Sequence, residues 1–269
     1  MGLPLDGRSS VSSCANGKAT LTTSRRSFIA GWKLCAGAAL GLGLAGSSAS
    51  AQVLSPLKKK ISCFLAGTRI KTAKGDVCIE ELRIGGRVST VSGEAKRIKF
   101  IGRRAVSREP SQSWIGPVKI SRFAMDDKVP HSDLYISPWH AIYIDNVLVP
   151  VKYLVNGVTI VADAKLEALS LTYYHIELDR HDAILAEGLA VESFLRNDPN
   201  AFDNADEYVR LYGSPGEPLT PFAPYEPCNG RHELASYIRS ALAPVYDFRK
   251  PIDKVRDRIA DRAEFTGAA

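Results

Sequence analysis

A chain of 269 residues is long enough to bury one large core or two small ones. With 45% hydrophobic and 24% charged residues and no low-complexity tract, it is neither disordered nor fibrous. The net charge of +6 sits mainly in the first 51 residues, which carry +4, so the balanced remainder has no electrostatic footprint for nucleic acid.

The chain opens on an export signature. Ser24-Arg25-Arg26-Ser27-Phe28-Ile29 is a twin-arginine pattern, with Arg25 and Arg26 as the pair. A weakly apolar stretch, Leu34 to Gly46, is diluted by Gly37, Gly41 and Gly43 and is too short to span a bilayer comfortably. Ala49-Ser50-Ala51 then offers a small-x-small cleavage site between Ala51 and Gln52. The expectation is a bacterial protein handed to the twin-arginine export machinery and released to the periplasm or beyond, with no stable membrane insertion once the signal is gone. Cleavage leaves Cys63, Cys78 and Cys228, an odd number, so at least one thiol lacks an intramolecular partner. Oxidative pairing of Cys63 with Cys78 is one arrangement this allows.

Residues 52–62 form a short leader, read as an exposed tether. From Cys63 to Phe194 the pattern is short and β-rich. Val77 to Leu82 and Arg87 to Val91 flank a Gly85-Gly86 turn, while Lys96 to Arg108 reads as a solvated hairpin face. Leu134 to Ile144, Leu148 to Leu154 and Val158 to Val161 are split at Asp145-Asn146 and Asn156-Gly157, the second a strong tight-turn signal. Leu171 to Leu178 and Ala183 to Leu189 complete the strands. The pattern then changes. Pro215, Pro218, Pro221, Pro224 and Pro227 mark an irregular crossing segment, and Leu234, Ile238, Leu242 and then Ile252, Val255, Ile259 recur at helical spacing. Residues 195–269 therefore read as a helical extension packed on a mainly β domain.

A lone cysteine is by itself a small buried apolar residue. What singles out Cys63 is the stretch Leu134-Tyr135-Ile136-Ser137-Pro138-Trp139-His140, together with Tyr174-His175-Ile176-Glu177-Leu178 and His181-Asp182. Alternation along a strand puts Asp133, Tyr135 and Ser137 on one face, and the turn at Ser137-Pro138 can bring His140 round to it. A carboxylate, a hydroxyl and an imidazole are then offered within one short stretch. Glu177 and Glu187 read as structural, and no ligand spacing points to a metal or other cofactor.

These motifs resemble, in order, those of the Hedgehog/intein (Hint) domain family, in its bacterial branch outside true inteins. Cys63-Phe64-Leu65-Ala66-Gly67-Thr68 resembles its opening motif, Ser137-Pro138-Trp139-His140 its Thr-x-x-His block, and Tyr174 through Gly188 its late block. The resemblance covers roughly residues 63–194. It implies a compact, horseshoe-like β fold with a pseudo-twofold path. It also implies autoprocessing at the Ser62–Cys63 bond, in which Cys63 attacks the preceding carbonyl and converts an amide to a thioester. On that resemblance His140 protonates the departing amide nitrogen, Ser137 holds the backbone or supports the oxyanion, and His175 or His181 matches the late-block acid or base. Water or another nucleophile takes up the acyl group.

The departures narrow the activity. Inteins end in His-Asn before the next nucleophile, and the comparable place here reads Glu192-Ser193-Phe194, with no asparagine to cyclise. Splicing is therefore not expected, only cleavage at the first bond. Two other readings stand beside this one. The domain could keep the fold as an exported interaction module, or Cys63 and His140 could form a hydrolase acting in trans.

Overall fold

The computed structural model describes residues 62–107, 116–162, 170–196, 202–213, 216–226, 235, 238–244, 247 and 249–267. The export signature, Arg25, Arg26, the Ala51–Gln52 bond, residues 52–61, Leu234 and Cys228 lie outside them. Among the described residues there are thirteen strands: β1 (Phe64–Leu65), β2 (Arg69–Thr72), β3 (Gly75–Cys78), β4 (Arg87–Ser89), β5 (Ala95–Ser107), β6 (Val118–Ile120), β7 (Leu134–Ile136), β8 (Ala141–Ile144), β9 (Val147–Pro150), β10 (Ile160–Val161), β11 (Ser170–Leu178), β12 (Ala183–Ala186) and β13 (Leu189–Glu192). They form one hydrogen-bonded network in the order β10-β6-β7-β1-β11-β5-β4-β2-β12-β13-β8-β9, with β3 on the side of β2. Every named strand pairing in it is antiparallel. The domain is mainly β with C-terminal helices, the architecture expected from the strand pattern.

The strand that organises the domain is β5, Ala95–Ser107. Its lysines and arginines suggested a solvated hairpin; it is instead the longest strand. Alternation turns Ile98, Phe100 and Gly102 inward while the cations face outward or lie half-buried. Its first residues pair with β4 (Arg87–Ser89) and the rest with β11 (Ser170–Leu178), so one strand is shared by both halves of the sheet. Lys96 Nζ lies 2.5 Å from Asp182 Oδ2, Lys99 Nζ 3.3 Å from Glu177 Oε1 and Arg103 Nη2 3.4 Å from Glu207 Oε2.

Other boundaries moved for local reasons. The run from Val77 becomes β3 (Gly75–Cys78) and then a 3-10 turn, Ile79–Glu81. The run from Leu134 is cut by Ser137-Pro138 into β7 (Leu134–Ile136) and β8 (Ala141–Ile144), since proline cannot donate to the ladder. Asp145 and Asn146, both at positive φ, make a two-residue hairpin into β9 (Val147–Pro150), the conformation that Asx residues tolerate best. Asn156-Gly157 does not close a hairpin between adjacent strands. Asn156 Oδ1 instead accepts the amides of Val158, Thr159 and Ile160 and steers the chain into β10 (Ile160–Val161). The last run divides at Glu187-Gly188 into β12 (Ala183–Ala186) and β13 (Leu189–Glu192).

Beyond β13 lie the helices α1 (Ala205–Tyr212) and α2 (Pro251–Gly267), and residues 238–242 are helical as well. Helix α2 buries Ile252, Val255, Ile259 and Ala263, and the first three join the main apolar cluster, as their spacing predicts. Ile238 and Leu242 are half-exposed instead. Ahead of α1, Arg196 is buried against Glu177 with two bonds of 2.8 and 2.6 Å to Oε1, which gives Glu177 the structural role read for it. Phe202 packs so closely on β5 that a Cβ at Gly102 would lie 2.6 Å from its ring. Gly102→Ala should therefore cost about 1–3 kcal/mol, measured by urea unfolding, because neither the strand nor the ring can yield freely.

Candidate functional site

The site is assembled around β1 (Phe64–Leu65), a two-residue strand between β7 and β11. Phe64 is opposite Ile136 on one side and Tyr174 on the other, which places Cys63 beside Ser137. Two hydrogen bonds extend that ladder by one residue. Ser137 N–H donates to the Cys63 carbonyl at 2.9 Å, and Cys63 N–H donates to Ser137 Oγ at 2.8 Å. Of the two roles open to Ser137, the geometry puts its hydroxyl on the amide nitrogen of the Ser62–Cys63 bond.

Pro138 next turns the chain. His140 N–H closes the turn on Ser137 O at 3.0 Å, with proline second in the four-residue turn, where its fixed φ belongs. His140 is fully buried, with its ring 4.3 Å from that of Phe64. Its Nε2 lies 3.1 Å from the Glu192 carbonyl. A carbonyl can only accept, so Nε2 carries the proton and Nδ1 keeps its lone pair. Nδ1 is buried without a hydrogen-bond partner. Burial lowers the pKa of His140 to about 4, although the backbones of Glu192 and Cys63 pull it upward. The ring is neutral at physiological pH.

The Cys63 side chain joins a different cluster from its backbone, with Phe100, Leu171, Tyr173 and Phe194. The thiol is free and buried, and Cys78 is disulfide-bonded. The Cys63–Cys78 pairing is thereby excluded. Burial pushes the thiol pKa far up, opposed by the Arg104 guanidinium. Arg104 and Tyr173 are site neighbours that the sequence reading missed; the pattern of cations on β5 concealed the first.

The late-block residues separate into two layers. His175 is buried beside His140, ring centroids 4.7 Å apart, with both nitrogens unpartnered. Burial and the neighbouring His140 and His181 hold its pKa well below the usual value. His181 lies further out. Its Nδ1 accepts the Phe222 amide at 3.2 Å, its Nε2 is 3.8 Å from Glu192 Oε2, and burial lowers its pKa to about 4. Asp133 does not join the site: its carboxylate accepts the Arg122 amide and pairs with Lys119, because it lies on the outer face of its strand. The carboxylate that reaches the site is Glu192, at the end of β13. Glu187 is structural, tying the Arg69 amide and His131 to the hairpin turn.

Ser62, read as the end of an exposed tether, is half-buried, and its hydroxyl donates to Trp139 O at 3.4 Å. The residues on the two sides of the Ser62–Cys63 bond are thus both held by the Ser137–His140 turn.

No curated protein matches the chain. Among solved structures it is similar to the bacterial intein-like domain from Clostridium thermocellum, with 18% identity, a TM-score of 0.36, and coverage of 50% of this chain and 99% of that one. It is also similar to the DnaB intein from Synechocystis sp. PCC 6803, with 9% identity, a TM-score of 0.34, and coverage of 50% and 99%. The family profile described as "Hint domain" matches residues 62–198, half of the chain, beginning one residue before Cys63 and running past Glu192. The chain belongs to the Hint domain family and is an autoprocessing-type domain.

Proposed function

We propose that this domain acts once, on itself, cleaving Ser62–Cys63 through an N-to-S acyl shift without splicing. The observation that carries the reading is the amide of the Ser62–Cys63 bond held by Ser137 Oγ at 2.8 Å, with a buried histidine that has a free lone pair and a free thiol on the same cysteine.

Cys63 Sγ attacks the Ser62 carbonyl carbon, forming the S–C bond. As the tetrahedral intermediate collapses, the C–N bond to Cys63 breaks. The thiol proton ends on the Cys63 nitrogen, so the shift needs no external proton or cofactor. His140 carries that proton. Its Nδ1 lone pair accepts it, and an imidazolium whose pKa is about 4 is a strong acid toward an amine nitrogen. Arg104 favours the thiolate as it develops, against the burial that otherwise disfavours it. Water then hydrolyses the thioester, or an added thiol intercepts it.

Cleavage would end at this bond. Ser193 stands where the family's cyclising asparagine would be, and its hydroxyl accepts the Asp182 amide at 3.1 Å, so it offers no side-chain amide for ring closure. Export by the twin-arginine route belongs to the same proposal and rests on Ser24 to Ala51 alone.

The test is intact mass of the chain with and without added thiol. The wild type should yield a fragment beginning at Cys63, promoted by thiol, and Cys63→Ala should yield none. An uncut wild-type chain with its thiol intact would instead support the interaction module.

A further inference from the structure

One residue, Glu192, holds His140 at two points. Its carbonyl accepts the Nε2 proton at 3.1 Å, and its carboxylate Oε1 accepts the Ala141 amide at 2.8 Å. Val191 pairs with Ile142 where β13 runs antiparallel to β8, so Glu192 stands opposite Ala141 at the end of the ladder. There the side chain takes the amide and the carbonyl takes the imidazole. The rest of the His140 backbone is held as well. Val151 N–H donates to the His140 carbonyl at 2.9 Å, and His140 N–H donates to Ser137 O. Backbone and ring are therefore fixed together, and Nδ1, which has no hydrogen-bond partner, is left open.

A buried carboxylate can keep such a place only if donors hold it in turn. Glu192 is 2% exposed, and among the described residues no lysine or arginine lies within ion-pair distance of it. The Tyr225 hydroxyl donates to its Oε2. His181 also faces it, with Nε2 3.8 Å from Oε2. Phe222 N–H donates to His181 Nδ1 at 3.2 Å, so the neutral ring presents Nε2–H to the carboxylate. Tyr225 and Phe222 both come from the proline-rich crossing segment, beyond the family-matched residues 62–198. That segment is fastened to β9: Leu148 N–H donates to Pro224 O and Glu226 N–H to Leu148 O, both at 2.9 Å. The ring of Tyr225 is 37% exposed, yet its hydroxyl is turned inward to the carboxylate.

We propose that Glu192 and Tyr225 are positioning residues for His140, and that the crossing segment is thereby part of the site. Tyr225 fixes the carboxylate. The carboxylate fixes the His140–Ala141 peptide against the end of β13, and the carbonyl there keeps the ring proton on Nε2. This rests on the acyl shift at Ser62–Cys63, in which Nδ1 accepts the thiol proton. Without the Tyr225 hydroxyl, Oε2 loses its direct donor and the carboxylate turns to the Nε2–H of His181. The buried Ala141 amide is then orphaned, and the strand end that orients the imidazole loosens.

The experiment has two arms, both on the full chain. The first measures rates of thiol-induced cleavage in the wild type, Tyr225→Phe, Glu192→Ala and the double variant. Each single substitution should slow cleavage about 10- to 100-fold, the range for a hydrogen bond to a charged group. Because Tyr225 acts through Glu192, adding Tyr225→Phe to Glu192→Ala should slow it no further. The second arm reads the imidazole nitrogen chemical shifts of His140 in a Cys63→Ala chain, which cannot cleave. The proton should sit on Nε2 there, and Tyr225→Phe should mix the two tautomers. Slower cleavage with the proton still wholly on Nε2 would reduce Tyr225 to a packing role and overturn the proposal. Equal effects of Tyr225→Phe in both backgrounds would overturn it too. An uncut wild-type chain would sink the acyl shift, while the tautomer arm would still decide the clamp. If Glu192→Ala does not fold, Tyr225→Phe, which removes a single oxygen, carries both arms: an unchanged rate or an unmixed tautomer overturns the proposal.

Discussion

Replacing His140 by alanine should slow the acyl shift about 100- to 10,000-fold, the usual contribution of a positioned acid–base group. The reason lies in the proton inventory of the site. Burial keeps the Cys63 thiol protonated and the departing nitrogen is a poor leaving group, so one proton must leave sulfur and one must reach nitrogen. His140 is the neutral group with an open lone pair whose surroundings include the Cys63 backbone. Alanine would also leave a cavity beside Phe64, so a lower rate could arise from disturbed packing. His140→Gln separates the two effects. Glutamine can still donate to the Glu192 carbonyl and fill most of the space, but it cannot relay a proton. The expected result is that both variants fold, by urea unfolding, and both lose the thiol-induced fragment. A His140→Gln chain cleaving at the wild-type rate would remove His140 from the chemistry.

Stability should fall when the protein is taken from pH 7 to pH 5, and the site itself should be the main cause. His140 and His181 titrate near 4 in the folded chain and near 6.5 when unfolded. Below pH 6.5 the unfolded chain therefore binds more protons, and acid favours it. Over these two pH units each histidine costs about 2 kcal/mol, roughly 4 together, and His175 acts in the same direction. Glu192 has the opposite sign. Burial raises its folded pKa to about 7, against the ordinary carboxylate value when unfolded, so the folded chain takes up its proton first. That returns about 2 kcal/mol over the same interval. Urea unfolding of the wild type should thus show a net loss of at least about 2 kcal/mol at pH 5. Glu192→Gln should deepen the acid loss by about the same amount, and His181→Gln should reduce it. Flat stability between pH 7 and pH 5 in all three chains would mean that these groups titrate normally in the fold.

Much of this molecule can be read along the chain. Short alternating runs separated by glycine, proline and Asx residues determine a mainly β domain, because side-chain alternation and turn chemistry are local properties. Ile252, Val255 and Ile259 likewise mark the buried face of α2 by spacing alone. Cys63, Ser137 and His140 stand out because proline after Ser137 ends the strand and returns the histidine toward it, a feature of four consecutive residues. What the sequence left open depends on contacts between distant segments. Whether β5 is a hairpin face or the central shared strand depends on β11, which begins far along the chain, and its cations disguise its inward residues. Which carboxylate reaches the site was misjudged for the same reason. Asp133 is close to His140 in sequence but on the outer face of its strand, whereas Glu192 arrives because β13 pairs with β8 and ends beside the His140 ring. Tyr225 carries no motif at all. Only the fastening of its segment to β9 puts its hydroxyl on Glu192, and burial then gives that carboxylate a consequence that its residue type alone does not imply.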